Sequence, residues 1–299
     1  MSMPPKLFDR ALLAHRLDRV ASKFSTANFL RERAIEDTIE TLLAINRQFD
    51  VTLDMGARDG SFARAVAKTA VSAKIGLLIE GELSQGLSQQ QTGTGRLIMD
   101  EEMLPFAEDS LNLIVSSLTL HNVNDLPGVL VQVRKALKSD GLFIGSLFGG
   151  ETLMELRSCL MEAEVEVRGG YGPRIAPYAE SYDLIDLLKR TGFTMPVVDT
   201  DRVTVYYESP LRLMGDLRAM GESNILFERP RKGLNRAILA RASELYFDRF
   251  TQSDGSVKAT FEIITLSGWK AHDSQQKPLR PGTAKMRLAD ALGVTEGKL

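Results

Sequence analysis

Leu53-Asp54-Met55-Gly56-Ala57-Arg58-Asp59-Gly60 is the stretch on which the reading of this chain turns. A short apolar strand, Val51 to Met55, ends in an acid, one spacer and a glycine. A tight loop follows, and Ser61 to Thr69 then has the spacing of a helix with Phe62, Ala65 and Val66 inward. Glycine lets a backbone approach a ligand closely and take a positive φ. A helix start adds free N–H groups and the positive end of its dipole. Two glycines after a strand also make an ordinary turn, so the loop gains meaning from its surroundings.

The same rhythm continues outward. Lys74 to Glu80, Arg96 to Asp100, Leu111 to Ser116 and Gly141 to Leu147 read as four further apolar strands. Between them a helix is expected around Leu83 to Gln90, weakened by its glycines and glutamines. Another is expected at Leu126 to Leu137, with Asp125 as N-cap and Pro127 in its first turn. Strand and helix in alternation predict an α/β, Rossmann-like sheet, mostly parallel, with helices on both faces. Nearly all-apolar strands agree with that burial.

Residues 7–22 and 28–45 carry apolar positions at helical spacing ahead of the sheet. Behind it, helices are expected at Glu151 to Glu166 and Ser181 to Arg190, the second stopped by Gly192. Extended segments follow at Thr194 to Thr200 and Arg202 to Tyr207, then a long helical region over 209–252 and a last strand from Thr260 to Trp269. The expected whole is one domain, 1–299. It comprises a helical lid (7–46), a ligand-binding core (47–200), C-terminal strands with a helical insertion (201–270) and a polar tail (271–299).

Ligands of such sheets bind at the carboxyl ends of the strands. Acids recur at those ends here. Glu80 closes the second strand, where a carboxylate can accept hydrogen bonds from two ribose hydroxyls. Asp100 closes the third, followed by Glu101-Glu102-Met103-Leu104-Pro105-Phe106. The fourth runs into Ser117-Leu118-Thr119-Leu120-His121. All converge on one crevice.

Composition narrows the class. The 299 residues are 43% hydrophobic and 25% charged, with a formal net charge of -2. That argues against a general nucleic-acid binder, which is usually basic, while leaving room for a local basic patch. Cys159 is the sole cysteine and falls in a helical pattern, so it reads as a buried structural thiol without an internal disulfide. With only His15, His121 and His272 beside it, a four-ligand zinc site is not expected. No apolar run approaches the ~18 residues of a membrane span. No h-region follows Met1, and Asp9, Asp18 and Glu32 count against a transit peptide, so the cytoplasm is the expected location.

Leu53 to Gly60, Asp100 to Phe106 and Leu118 to Asp125 resemble the motifs of class I S-adenosylmethionine-dependent methyltransferases of the type 11 group. The resemblance implies their seven-stranded sheet, with one antiparallel strand, and S-adenosyl-L-methionine as cofactor. It implies that Asp54, Gly56 and Gly60 face the methionine end, Glu80 the ribose and Asp100 the adenine, with the Glu101 and Glu102 backbone nearby. Ala57 and Leu118 complete the expected cofactor set. Further stretches, among them Leu7-Phe8-Asp9-Arg10, Phe148-Gly149-Gly150-Glu151-Thr152-Leu153, Met220-Gly221-Glu222-Ser223-Asn224 and Gly268-Trp269-Lys270, resemble one subgroup over nearly the whole chain. It holds the methyltransferase-like assembly factor of mitochondrial respiratory complex I and its bacterial relatives. That likeness implies arginine hydroxylation on a complex I subunit. The carrier-protein carboxyl methyltransferase of biotin synthesis is a further relative.

One residue departs from the pattern. Arg58 stands where the family loop has its middle glycine. Its side chain is expected to project towards the methionine part of the cofactor, and a positive φ there would cost about 1 kcal/mol. It could also pair with Asp59 or another carboxylate. Asn112 replaces the usual Asp, a smaller change.

Other single residues have two readings each. His121 is a candidate general base or an aromatic wall residue. Trp269 and Phe148 line a substrate pocket or pack in the core. Glu222 and Asn224 cap a turn or contact a partner. Arg229-Pro230-Arg231-Lys232 reads as a solvated turn. Phe29 and Arg33 are expected to help close the lid, by fold analogy. Three functions stay open: methyl transfer to a protein side chain or small acid, complex I assembly with hydroxylase or chaperone-like action, and a degenerate fold without cofactor.

Overall fold

Alternation within strand β4 (Leu111–Ser116) sets the layers of the molecule. The computed structural model describes residues 6–93 and 95–275. Side chains of a strand point to opposite faces in turn. Leu113 and Val115 therefore pack with helices α2 (Phe29–Ala44) and α3 (Ser61–Ala67), while Ile114 packs with α5 (Leu126–Ala136) and α7 (Ser181–Arg190). Strand β5 (Leu137–Phe148) repeats the division, with Leu142 and Ile144 on the first face and Phe143 and Leu147 on the second. Helices thus cover both faces.

The sheet has seven strands in the order β3-β2-β1-β4-β5-β7-β6. Here β1 is Phe49–Met55, β2 Ile75–Glu82, β3 Gly95–Ile98, β6 Phe193–Tyr207 and β7 Val257–Lys270. All neighbours run parallel except β7, which is antiparallel to both β5 and β6. This is the expected sheet. The chain leaves β1 towards β2 and returns to β4 on the other side, so the switch point opens beyond the ends of β1 and β4.

Helix α1 (Arg10–Val20) begins on Asp9, whose carboxylate accepts the Leu12 N–H at 3.0 Å. Asp125 caps α5 in the expected way, accepting from Gly128 N–H at 2.9 Å. Helix α6 (Met154–Arg168) buries Cys159 completely.

Several expectations change; β3 ends at Ile98, two residues short of Asp100, and β5 and β7 start earlier, at Leu137 and Val257. The helix at 83–90 shrinks to a single turn, α4 (Gln85–Ser88). The extended pair at 194–207 is one long strand with an irregularity between Thr194 and Val197. The helical region 209–252 is two helices, α8 (Pro210–Ala219) and α9 (Arg236–Phe250). They part because Gly221 takes φ +82 and Pro230 cannot continue a helix. Strand β2 runs two residues past Glu80, to Glu82, which matters at the site. Residues 276–299 of the polar tail lie outside the described residues. Among the described residues no helix is long and apolar enough to cross a membrane.

Candidate functional site

The β1–α3 loop lies at the switch point. Gly56 and Gly60 have φ +75 and +77, a region open to glycine. A Cβ on Gly56 would stand 2.6 Å from Thr119 and 2.9 Å from Glu101 Oε1, and one on Gly60 would stand 2.6 Å from Glu80 Oε1. The loop is anchored to β2, since the Gly56 and Ala57 N–H groups donate to Gly81 O at 2.8 and 2.9 Å.

Asp54 lies beneath the loop, fully buried, and neither carboxylate oxygen has a hydrogen-bond partner. Burial pushes its carboxyl up to about 7, against the pull of Arg31 and with the push of Glu80 and Glu82. Arg31 of α2 comes within 4.0 Å of Asp54. Its guanidinium donates to Gly56 O at 3.0 Å, to Ser61 Oγ at 3.3 Å and to Ser117 O. Burial lowers the Arg31 pKa.

Arg58 has φ +52, so the expected left-handed strain is present. Its side chain is buried and pairs with Glu82, Nη1 to Oε1 at 3.0 Å, not with Asp59. The Arg58 N–H also donates to Glu82 Oε2 at 2.8 Å. Glu101 Oε1 is 3.8 Å from the same Nη1. Burial opposes the Arg58 charge, but Glu82, Glu101 and Glu222 outweigh it and raise its pKa. Asp59 pairs instead with Arg64 at 2.6 Å.

Glu101 and Asp100 are bridged by Arg10, which lies 2.6 Å from Asp100 Oδ1 and also contacts Glu101 Oε2. A chain of charges, Glu82–Arg58–Glu101–Arg10–Asp100, thus spans the ends of β2 and β3. Glu80 stands apart from it. Its Oε2 accepts the Gly93 N–H, its Oε1 has no partner, and burial raises its pKa.

Leu118 follows β4 with φ +47 and, with Phe148, Arg31, Arg58 and Glu222, lines a narrow cleft. Its free room is about 30 Å³, against the ~300–1,000 Å³ of ordinary ligand pockets. The Arg58 side chain occupies part of the crevice. His121 is buried, its ring 4.7 Å from that of Phe148, with Nε2 3.1 Å from Glu222 Oε2. Burial works against the Glu222 carboxylate, but His121, Arg58 and Asn122 hold it below its usual range. Tyr178 closes this end, 6.0 Å from the His121 ring, with its hydroxyl pKa raised by burial and by Glu222.

Arg31 and Glu82 are site residues that the sequence reading passed over, and Arg10 was marked there only by the resemblance of its stretch. Arg31 shares the buried face of α2 with Ala34, Ile35 and Thr38, and a cation on an apolar stripe is the signal for it. Arg33, expected at the lid, instead faces outward and pairs with Asp201, while Phe29 is exposed. Trp269 is away from the cleft, with Arg47 stacked over it at 5.3 Å. Asn112 accepts the Val51 N–H at 3.1 Å, holding β1 to β4. Asn224 donates to Pro173 O and accepts the Leu226 N–H, the turn-capping role. Among the described residues no three His, Cys, Asp or Glu are grouped to hold a metal ion.

A methyltransferase domain family matches residues 53–145, from the Asp54 loop to β5. Over a longer span the chain is 39% identical to the zebrafish (Danio rerio) protein named arginine-hydroxylase NDUFAF5, mitochondrial. That match covers 95% of this chain and 89% of the relative. The chain belongs to the NDUFAF5 family. The human member is 38% identical, with 95% of this chain and 83% of the relative covered. A malonyl-[acyl-carrier protein] O-methyltransferase of Halorhodospira halophila is 28% identical over 94% of each chain. Among solved structures, the YcgJ protein of Bacillus subtilis shares the fold, with a TM-score of 0.55 at 14% identity, over 80% of this chain and 99% of that one. The NDUFAF5-family chain is therefore methyltransferase-like in both sequence and fold.

Proposed function

We propose that this protein is an S-adenosylmethionine-dependent enzyme that modifies a side chain of a protein partner. The Asp54 carboxylate carries this reading. A buried acid without a hydrogen-bond donor costs free energy unless a polar group meets it, and the cofactor's ammonium group has the matching charge. The rest of the donor set fits too. Glu82 at the end of β2, rather than Glu80, is the acid we assign to the ribose hydroxyls, because it accepts the Arg58 N–H of the loop while Glu80 is engaged with Gly93. Asp100 and Glu101 lie on the adenine side, Leu118 is a wall, and Gly56, Ala57 and Gly60 allow close backbone approach. Room for the cofactor would come from Arg58, whose guanidinium can leave Glu82 on its flexible stem.

The cofactor supplies an electrophilic methyl group on a sulfonium. The chain's own part is alignment and proton transfer. Glu222 borders the cleft, ionised and held by His121. It attracts a cationic side chain and accepts the proton released when the acceptor nitrogen is alkylated. Phe148 and Tyr178, stacked around His121, keep water from this end.

A second reading, arginine hydroxylation, is favoured by relatives of that name at 38–39% identity over 95% of the chain. Glu222 would then receive the guanidinium of a partner arginine. A subunit of respiratory complex I is a partner compatible with both readings, and a reducing compartment suits the single buried thiol. The test is capture of partners from respiring cells, followed by mass spectrometry of each after incubation with the protein and cofactor, and in parallel with added dioxygen and a two-electron reductant, which hydroxylation needs and the chain does not hold. A methyl increment supports the first reading and an oxygen increment the second. No modification of any captured protein contradicts both.

A further inference from the structure

Beside the crevice lies a second concavity, of about 530 Å³, between α1 and α8. Arg16, Arg19, Lys23 and Arg218 line it, and Val20, Gly215, Ala219 and Ser223 complete the wall. No carboxylate is among these lining residues. Arg16 and Arg19 lie on one face of α1, Lys23 follows on the short 3₁₀ helix Ala21–Ala27, and all three line the groove with Arg218.

These four cations line one groove, whereas several others on the surface are paired. Arg33, Arg47, Arg202, Arg241 and Arg249 each pair with a carboxylate. Among the described residues, Arg19, Lys23 and Arg218 have no ion-pair partner, and all three are exposed. Arg16 donates only to a carbonyl, Asn224 O. Burial, then Arg229 and Arg19, push the Arg16 pKa down, as expected where cations crowd one another. The nearby Asp18 is turned away, accepting from Ser84 Oγ at 2.6 Å and Gly86 N at 2.9 Å. Asp9 is engaged with Arg229. In a chain of net charge -2, four cations gathered in one groove make a local field that favours an anionic ligand.

We propose that this groove docks an acidic polypeptide segment of a protein partner. A peptide suits it better than a nucleic acid. The groove is short, no aromatic lines it for base stacking, and the chain as a whole is acidic. Its position supplies a use. Lys23 is followed by Phe24 of the crevice, and Ala219 and Ser223 flank Met220 and Glu222. A partner held in the groove therefore has its neighbouring residues beside Glu222. The groove is separate from the cofactor donors, so it binds peptide whether or not the crevice binds cofactor.

Fluorescence anisotropy of a labelled Asp/Glu-rich dodecapeptide tests this with the full chain. Binding is expected to weaken steeply with salt and to fall at least ~tenfold in the Arg19→Glu/Arg218→Glu variant. Because both positions are exposed, the variant keeps the parent melting temperature, and Arg19→Ala/Arg218→Ala gives a smaller loss in the same direction. An affinity unchanged in either variant overturns the proposal. So does a single-stranded oligonucleotide of equal length that binds as tightly as the peptide, or displacement of the peptide by inorganic phosphate at low millimolar concentration.

Discussion

Arg58 and Glu82 form a buried ion pair, 3.0 Å from Nη1 to Oε1, across the mouth of the β1–α3 loop. Removing one partner of such a pair leaves the other charge uncompensated, a change that typically costs about 3–5 kcal/mol. Glu82→Ala is therefore expected to destabilise the fold by about 3 kcal/mol, moderated by Glu101 at 3.8 Å. Arg58→Gly/Glu82→Ala should recover part of that loss, since no buried charge is then stranded. Denaturant midpoints of the two variants measure this, and a double variant less stable than Glu82→Ala contradicts it.

Asp54 gives stability a pH dependence. Its carboxyl is raised from 3.8 to about 7 by burial. Between those values the folded protein holds a proton that the unfolded chain has released. The group's contribution is complete below the unfolded pKa and is lost as pH rises towards about 7. Melting temperature is expected to fall over this window, and Asp54→Asn should flatten the fall. A cationic ligand group beside Asp54 favours the carboxylate, so cofactor binding should strengthen as pH rises through about 7. Identical melting profiles for the parent and Asp54→Asn would sink this account.

Glu222 separates chemistry from binding. Glu222→Gln keeps the shape and the contact with His121 but loses the charge that holds a cationic acceptor. Modification of the partner should fall ~100-fold or more, the usual scale for a lost acid–base group, with cofactor affinity little changed. A variant that modifies its partner at the parent rate removes Glu222 from the mechanism.

The sheet was legible because apolar runs of four to eight residues recur between turn signals, and β4 and α7 match their expected spans. The break between α8 and α9 was legible only in part: Gly221 to Asn224 and Arg229 to Lys232 read as turns, but the bounds of the two helices did not follow from them. At the site, the acids after the strands were legible by type. Which acid faces the loop was not, because Glu80 and Glu82 lie on one face of β2 and only the strand's true end distinguishes them. Arg10 and Arg31 come from helices remote in sequence, and no local pattern announces that they fold onto Asp100, Glu101 and Asp54. Arg58 was visible as a departure, but its partner was set by the two further residues of β2.

On the function proposed, the crevice is an S-adenosylmethionine site whose room is held by the Arg58 side chain. Calorimetric titration of the parent protein and of Arg58→Gly with S-adenosylmethionine decides this. Weak binding by the parent and at least ~tenfold tighter binding by Arg58→Gly, about 1.4 kcal/mol, is the predicted result. No heat from either protein at millimolar cofactor, or equal affinity in both, would contradict it.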